Sequence, residues 1–268
     1  MVSDDKEAPH WSLDIYRDYL RGVSPPEGRF DPEDAWEHVY DVFPVYGKLD
    51  VTGQAWSARH KGALRIRRTP LAQEGAVRLE VTSEVTFLDF EPLPTRSQRT
   101  TARVRCLADT LSTPVAWELQ STAHNAEGNA RAMSELRESG SLYDGTLEFS
   151  NGDRSRTVQV VGEVTSNWSL FDAVHRLPCD ERASFEFVML EDLRLPRRGQ
   201  SLAWAGRTEI SMRGSAVRLH GYRQVGEGVL PLHYWLDEEG RLLLVLGNVR
   251  AYIWKGAATA INRGDQTA

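Results

Sequence analysis

Polar and apolar residues alternate along most of this chain, and that period of two predicts strands rather than helices. The clearest run is Val77, Leu79, Val81, Val85 and Phe87, set against Arg78, Glu80, Thr82, Glu84 and Thr86. It predicts a half-buried strand. Similar patterns cover 56–68, 98–107, 115–123, 131–138, 142–149 and 155–162, then 183–190, 200–212, 215–224, 230–236 and 241–254. Asn151-Gly152 marks a hairpin, and Asp237-Glu238-Glu239-Gly240 another. Leu242 to Leu246 is apolar on both faces, so its strand belongs in the middle of a sheet.

Two short helices interrupt the pattern. Ser12 can cap one that ends near Leu20–Arg21, with Gly22 as its stop. Ser166 or Asn167 can cap a second, near 167–177, carrying Trp168, Leu170, Phe171, Val174 and Leu177 ahead of Pro178. Asp31-Pro32-Glu33 predicts a turn of helix passing into a strand that holds Trp36, His38, Tyr40 and Val42.

A dozen or more strands joined by hairpin turns imply antiparallel sheet, not βαβ units. So many strands cannot lie flat in one open sheet. The expected fold is mostly β: a large curved antiparallel sheet, either a half-barrel or a two-sheet sandwich. One domain over 10–255 follows, with halves 10–163 and 164–255 as the alternative division. Residues 1–9 and 256–268 are polar and expected to be loose.

The 268 residues are ample for a buried core. Apolar residues make up 41% and charged residues 26%, as in ordinary globular proteins. No apolar stretch approaches the ~18 residues of a membrane span. The net charge of −6 argues against nucleic acid as a partner. Arg65, Arg67 and Arg68 form the densest basic cluster, read as a solvated strand face. Met1 to Pro9 lacks the basic-then-apolar order of a leader. As it stands the chain reads as cytoplasmic, and as periplasmic or secreted if a leader has been removed. Cys106 and Cys179 lack CxxC spacing and lie beside apolar residues, so both are expected to be buried and inert, a single bridge being the alternative.

Named chemistries find little support. None of the seven histidines pairs at the spacing of a zinc helix, and no metal or cofactor is expected. His220 and His233 could meet on neighbouring strands, but a facial metal site needs a third ligand. Gly199-Gln200-Ser201-Leu202-Ala203 runs into a strand rather than a helix, unlike a nucleophile elbow. No glycine-rich phosphate loop is present. The acidic runs Glu191-Asp192 and Asp237-Glu238-Glu239 sit in turns and face water.

What remains is the second face of the last strands. Trp204, Arg218, His220, Tyr222, His233, Trp235, Arg250 and Tyr252 alternate with apolar positions, and Trp254 continues the pattern. Aromatic rings stack on sugars, and arginine holds carboxylates. The leading expectation is noncatalytic binding of a small amphipathic or saccharide-like ligand on a concave sheet face by those eight residues. An alternative is a polysaccharide lyase or hydrolase acting through His220, Tyr222 and His233. A third is a structural or interaction module whose face is simply packed, sealed by Trp168 and Phe171.

The segment Leu232-His233-Tyr234-Trp235-Leu236-Asp237-Glu238-Glu239-Gly240-Arg241-Leu242 fits the form W-L-D-x-x-G-x-L. It resembles a hairpin near the end of uncharacterised bacterial envelope proteins with long antiparallel strands. That resemblance implies a curved half-barrel and lipid or envelope binding. It carries over no functional residues.

Overall fold

The computed structural model describes residues 16–44, 62–72, 75–86, 97–125, 127–247 and 250–257. The predicted strand positions 56–61, Phe87 and most of both polar ends lie outside these residues. Fifteen strands are present: β1 (Trp36–Pro44), β2 (Gly62–Pro70), β3 (Ala76–Thr86), β4 (Ser97–Leu107), β5 (Pro114–His124), β6 (Leu136–Tyr143), β7 (Thr146–Ser150), β8 (Ser155–Gln159), β9 (Val164–Ser166), β10 (Ser184–Glu191), β11 (Leu195–Met212), β12 (Ser215–Gly226), β13 (Leu232–Leu236), β14 (Leu242–Gly247) and β15 (Arg250–Ala257). Among the described residues two helices accompany them, α1 (Arg17–Leu20) and α2 (Asn167–Ala173), the second running on into a 3-10 turn at Val174–Arg176.

All fifteen strands form one sheet, so the sandwich alternative does not hold. The order is β8-β7-β6-β5-β4-β3-β2-β1-β15-β14-β13-β12-β11-β10-β9. Each strand pairs with its chain neighbour, and β1 pairs with β15 to join the two runs. Every pairing is antiparallel except that of β9 with β10. The sheet curls but does not close, because β8 and β9 remain unpaired edges. Side chains of the β10–β11 turn reach across that seam. Arg194 meets Glu138 on β6, Arg156 on β8 donates to the Arg194 carbonyl, and Arg198 donates to the Gln159 carbonyl at 2.9 Å.

The apolar positions of β2 to β5 follow the predicted alternation. Leu64, Ile66, Leu79, Val81, Val104 and Leu119 are buried, while Arg65, Arg67, Arg78, Arg103 and Glu118 are exposed. The buried face wraps α2. Ser166 caps this helix, accepting from the Ser169 amide at 2.9 Å, and all side chains from Trp168 to Ala173 are buried. Cys106 on β4 lies 3.6 Å from Ser169 Oγ, and Phe171 meets the rings of Tyr40 and Tyr252. The other side of the sheet is covered near β1 by α1, where Tyr16 and Tyr19 pack on Phe43. α1 also packs on β11. β14 is buried on both faces from Leu242 to Leu246.

Several expectations are corrected. Residues 31–35 form turns rather than helix, and the strand begins at Trp36. The strands expected at 131–138 and 142–149 lie further along the chain, as β6 and β7. β6 starts at Leu136 and crosses to Tyr143, and the hairpin turns at Asp144-Gly145, whose φ values of 45° and 69° suit a primed turn. Residues 241–254 are not one strand but β14 and β15, antiparallel to one another. β14 ends at Gly247 and β15 begins at Arg250, and the two positions between them lie outside the described residues. Cys179 is exposed, and both cysteines are free.

Gly221 lies on β12 under the indole of Trp235, where an added Cβ would stand 2.5 Å from Cε3. Gly221→Ala is therefore expected to cost about 1–3 kcal/mol by overpacking. In a Trp235→Ala background the same change should cost markedly less, as denaturant midpoints of the four proteins would show.

Candidate functional site

Register decides which predicted residues meet. Tyr222 stands opposite Tyr234, and Gly221 opposite Trp235. His233 and Trp235 thus occupy the face opposite to His220 and Tyr222. The predicted single face is really two. On the α2 side, one cross-strand row runs Trp204, Tyr222, Tyr234, Val245, Tyr252 and Val42. With strands about 4.8 Å apart, Trp204 and Tyr252 are about 19 Å from each other.

The middle of this row is closed. Tyr222 and Tyr234 are fully buried. The Tyr222 hydroxyl donates to the Pro178 carbonyl at 2.7 Å, and that of Tyr234 donates to Gln224 Oε1 at 2.9 Å. Burial pushes both phenols well above their ordinary range. Phe171 packs edge-on against Tyr252, its ring centroid 5.5 Å away and perpendicular, and leaves the Tyr252 ring half-buried. Trp168 is buried with Phe171. Arg250 shares the strand face of Tyr252, and its guanidinium opposes the upward push of burial on that phenol.

The Trp204 end is different. Beyond a bulge at Ala205, β11 and β12 continue as a lip whose α2-side positions are Arg207 opposite His220 and Glu209 opposite Arg218. Arg207, Glu209 and Arg218 are exposed, and Trp204 is half-buried. The lip's other face carries Ile210, Val217 and Leu219, the apolar side that lets the hairpin pack. Trp204 and His220 stack at 6.0 Å with 20° between planes, and the Arg207 guanidinium stands 5.9 Å over the indole. Arg218 pairs with Glu238 of the β13–β14 turn at 3.3 Å. Burial, then the nearby Arg207, lowers the His220 pKa, which keeps the ring neutral at pH 7. The exposed Cys179 thiol lies against the Tyr222 hydroxyl, and burial raises its pKa, so it is a poor nucleophile.

His233 stacks on Trp235 at 6.5 Å on the far face, and burial followed by Arg223 lowers its pKa. His220, Tyr222 and His233 therefore do not converge on one reacting centre. Nor do His220 and His233 share a metal. Among the described residues no group of three or more His, Cys, Asp or Glu is placed to hold one. No described helix is long and apolar enough to cross a membrane.

A separate trough of about 870 Å³ crosses the solvent side of β3 to β7, past Glu80, Thr82, Thr101, Arg103, Glu118 and Arg137. Glu80, Arg103 and Glu118 face one another across strands, and none of the residues lining the trough is aromatic. It is a solvated charge ladder.

The solvated reading of the basic cluster holds for Arg65 and Arg67 but not for Arg68, whose role the sequence did not show. Arg68 is 1% exposed, with Nε 2.9 Å from Asp172 Oδ1 and further bonds to the carbonyls of Glu33 and Asp34. Its place in the alternation was the available signal, since Leu64, Ile66 and Arg68 all point inward.

No family model matches the chain, and no curated protein matches it. Among solved structures it is similar to a β-barrel-like protein of domain of unknown function DUF1849 from Brucella abortus. The TM-score is 0.53 at 10% identity, over 84% of this chain and 97% of that one. A DUF1089 family protein from Pseudomonas aeruginosa aligns with a TM-score of 0.31 at 15% identity, over 82% of this chain and 94% of that one. The first likeness shows a barrel-like β fold, and neither description names a ligand or a reaction.

Proposed function

We propose that the protein binds a small saccharide-like or amphipathic ligand, without turning it over, at the β11–β12 lip. The observation that carries this reading is the half-buried Trp204 ring beside neutral His220, rimmed by the exposed Arg207 and Arg218. An indole offers a sugar ring or acyl chain an apolar stacking surface, and the two guanidiniums suit a carboxylate. Uronate oligosaccharides fit that combination best. Thermal-shift and calorimetric titration with uronate oligosaccharides and with fatty acids tests it. A saturable shift with uronates is expected, and Trp204→Ala should weaken binding about tenfold or more, the loss of one stacking contact together with its buried area. No response to either class would sink the proposal. The burial of Tyr222 and Tyr234 in the middle of the row favours a second reading, a structural or interaction module, and that reading gains if both titrations are silent.

A further inference from the structure

The end of the barrel crossed by α2 and its 3-10 turn is closed from outside by residues 28–34, and three arginines hold this strap down. Arg241 donates to the Gly28 carbonyl, and Arg68 to the carbonyls of Glu33 and Asp34. Arg68 and Arg176 flank the Glu33 carboxylate at 2.8 and 3.6 Å. Beneath the strap, Phe30 lies 5.4 Å from the ring of His38 and 5.0 Å from that of His175. The two imidazoles are 5.4 Å apart, with Trp36 stacked on His38 at 4.4 Å and Trp254 against it at 4.7 Å. Both histidines are buried, at 3% and 6% exposure.

Charge in this cluster is already paired among the described residues. Arg68 and Arg176 share Asp172 and Glu33, and Arg241 takes Asp237 at 3.6 Å. Three guanidiniums thus meet three carboxylates; Asp172 favours an imidazolium at His175, but Arg176 and Arg68 already share that carboxylate and oppose it. His175 Nδ1 lies 2.7 Å from the Gly240 carbonyl and 3.3 Å from the Leu242 amide; the shorter contact, to an acceptor, favours the proton on Nδ1 and leaves Nε2 as the site that would take another. That atom is buried with no hydrogen-bond partner. His38 Nδ1 has only the Tyr40 hydroxyl, at 3.4 Å. From β1, β2, the α2 turn, β14 and the strap, the charged groups facing the two rings are thus Arg68, Arg176, Arg241 and their three carboxylates.

We propose that His38 and His175 form an acid-sensitive latch: their protonation sets unpaired positive charge among Arg68, Arg176 and Arg241 and releases the 28–34 strap from an otherwise intact barrel. The sign follows from linkage. Burial first, and the neighbouring cations after it, lower the His38 pKa, and burial lowers that of His175 to about 4. Between pH 6.5 and about 4 the released form takes up protons that the clamped form refuses. The clamped form therefore loses ground as pH falls through that window, and His175 contributes no further loss below it.

Hydrogen–deuterium exchange on the full chain at pH 7.5 and 5.0, read as protection factors, tests the latch. For His175 alone the strap should lose about 25-fold in protection, while β3 to β5 keep theirs. His175→Gln should abolish most of that loss. Strap protection that is unchanged at pH 5.0, or that falls together with β3 to β5, overturns the proposal. So does loss of the acid response in Glu33→Gln, which would make the strap's own carboxylate the trigger. Should His175→Gln not fold, the wild-type and Glu33→Gln profiles decide alone.

Discussion

Asp172→Ala is expected to destabilise the protein by about 3–5 kcal/mol, the scale for stranding one member of a buried ion pair. Asp172 is wholly buried and accepts from Ser112 Oγ at 2.6 Å, with Arg176 Nη1 at 2.9 Å and Arg68 Nε at 2.9 Å. Its removal leaves a guanidinium on β2 that is 1% exposed and has lost its internal carboxylate. Arg68 keeps its carbonyl partners on the strap, so the loss should not exceed that range. The double replacement Arg68→Met with Asp172→Leu should lose less than Asp172→Ala alone, because both desolvated charges leave together. Urea denaturation of the wild type and the two variants tests both expectations. A single-variant loss below about 1 kcal/mol would mean that the cluster orders the strap without stabilising the barrel.

That cluster also marks where sequence stops being informative. Strand positions were legible wherever one side of the sheet meets water, as on β3, because alternation then reports burial directly. The Ser166 cap and the Asp237–Gly240 turn were legible because their chemistry is local. Asp237 Oδ1 accepts from the amides of Glu239 and Arg241, at 3.0 and 2.8 Å. From β12 to β15 this signal disappears. With α2 on one side and α1 on the other, Leu242 to Leu246 are all buried, and no asymmetry distinguishes the faces. The relative phase of β12 and β13 is then set by register across residues 227–231, which no single-strand pattern encodes. Hence His233 and Trp235 could be aligned with His220 and Tyr222 in sequence and yet lie behind them. Arg68 was hidden for the reverse reason. A charged residue at an inward position reads as a surface residue until its partner, 104 positions later in sequence, is brought beside it.

Phe171→Ala should cost about 3–5 kcal/mol, as truncation of a buried aromatic does when its surroundings cannot collapse. The ring is 4% exposed and makes edge contacts with Tyr40 at 5.4 Å and Tyr252 at 5.5 Å. These two tyrosines sit on paired strands that belong to a fifteen-stranded sheet, so neither backbone can move into the space. The space should remain as a dry apolar cavity of the kind that takes up benzene or indole. Either probe is expected to raise the melting midpoint of Phe171→Ala and leave that of the wild type unchanged. Phe171→Leu, which refills most of the volume, should recover much of the stability and lose the probe response. The result bears on function as well as on packing. Tyr252 and Trp204 lie towards opposite ends of the same row, and Tyr252 is the one whose ring meets the helix, at Phe171. If Phe171→Ala costs less than about 1 kcal/mol, the helix does not hold the Tyr252 end shut, and the ligand-binding surface extends from the lip into the barrel. The larger cost confines the proposed binding surface to Trp204, Arg207, Arg218 and His220, where the uronate titrations then test it.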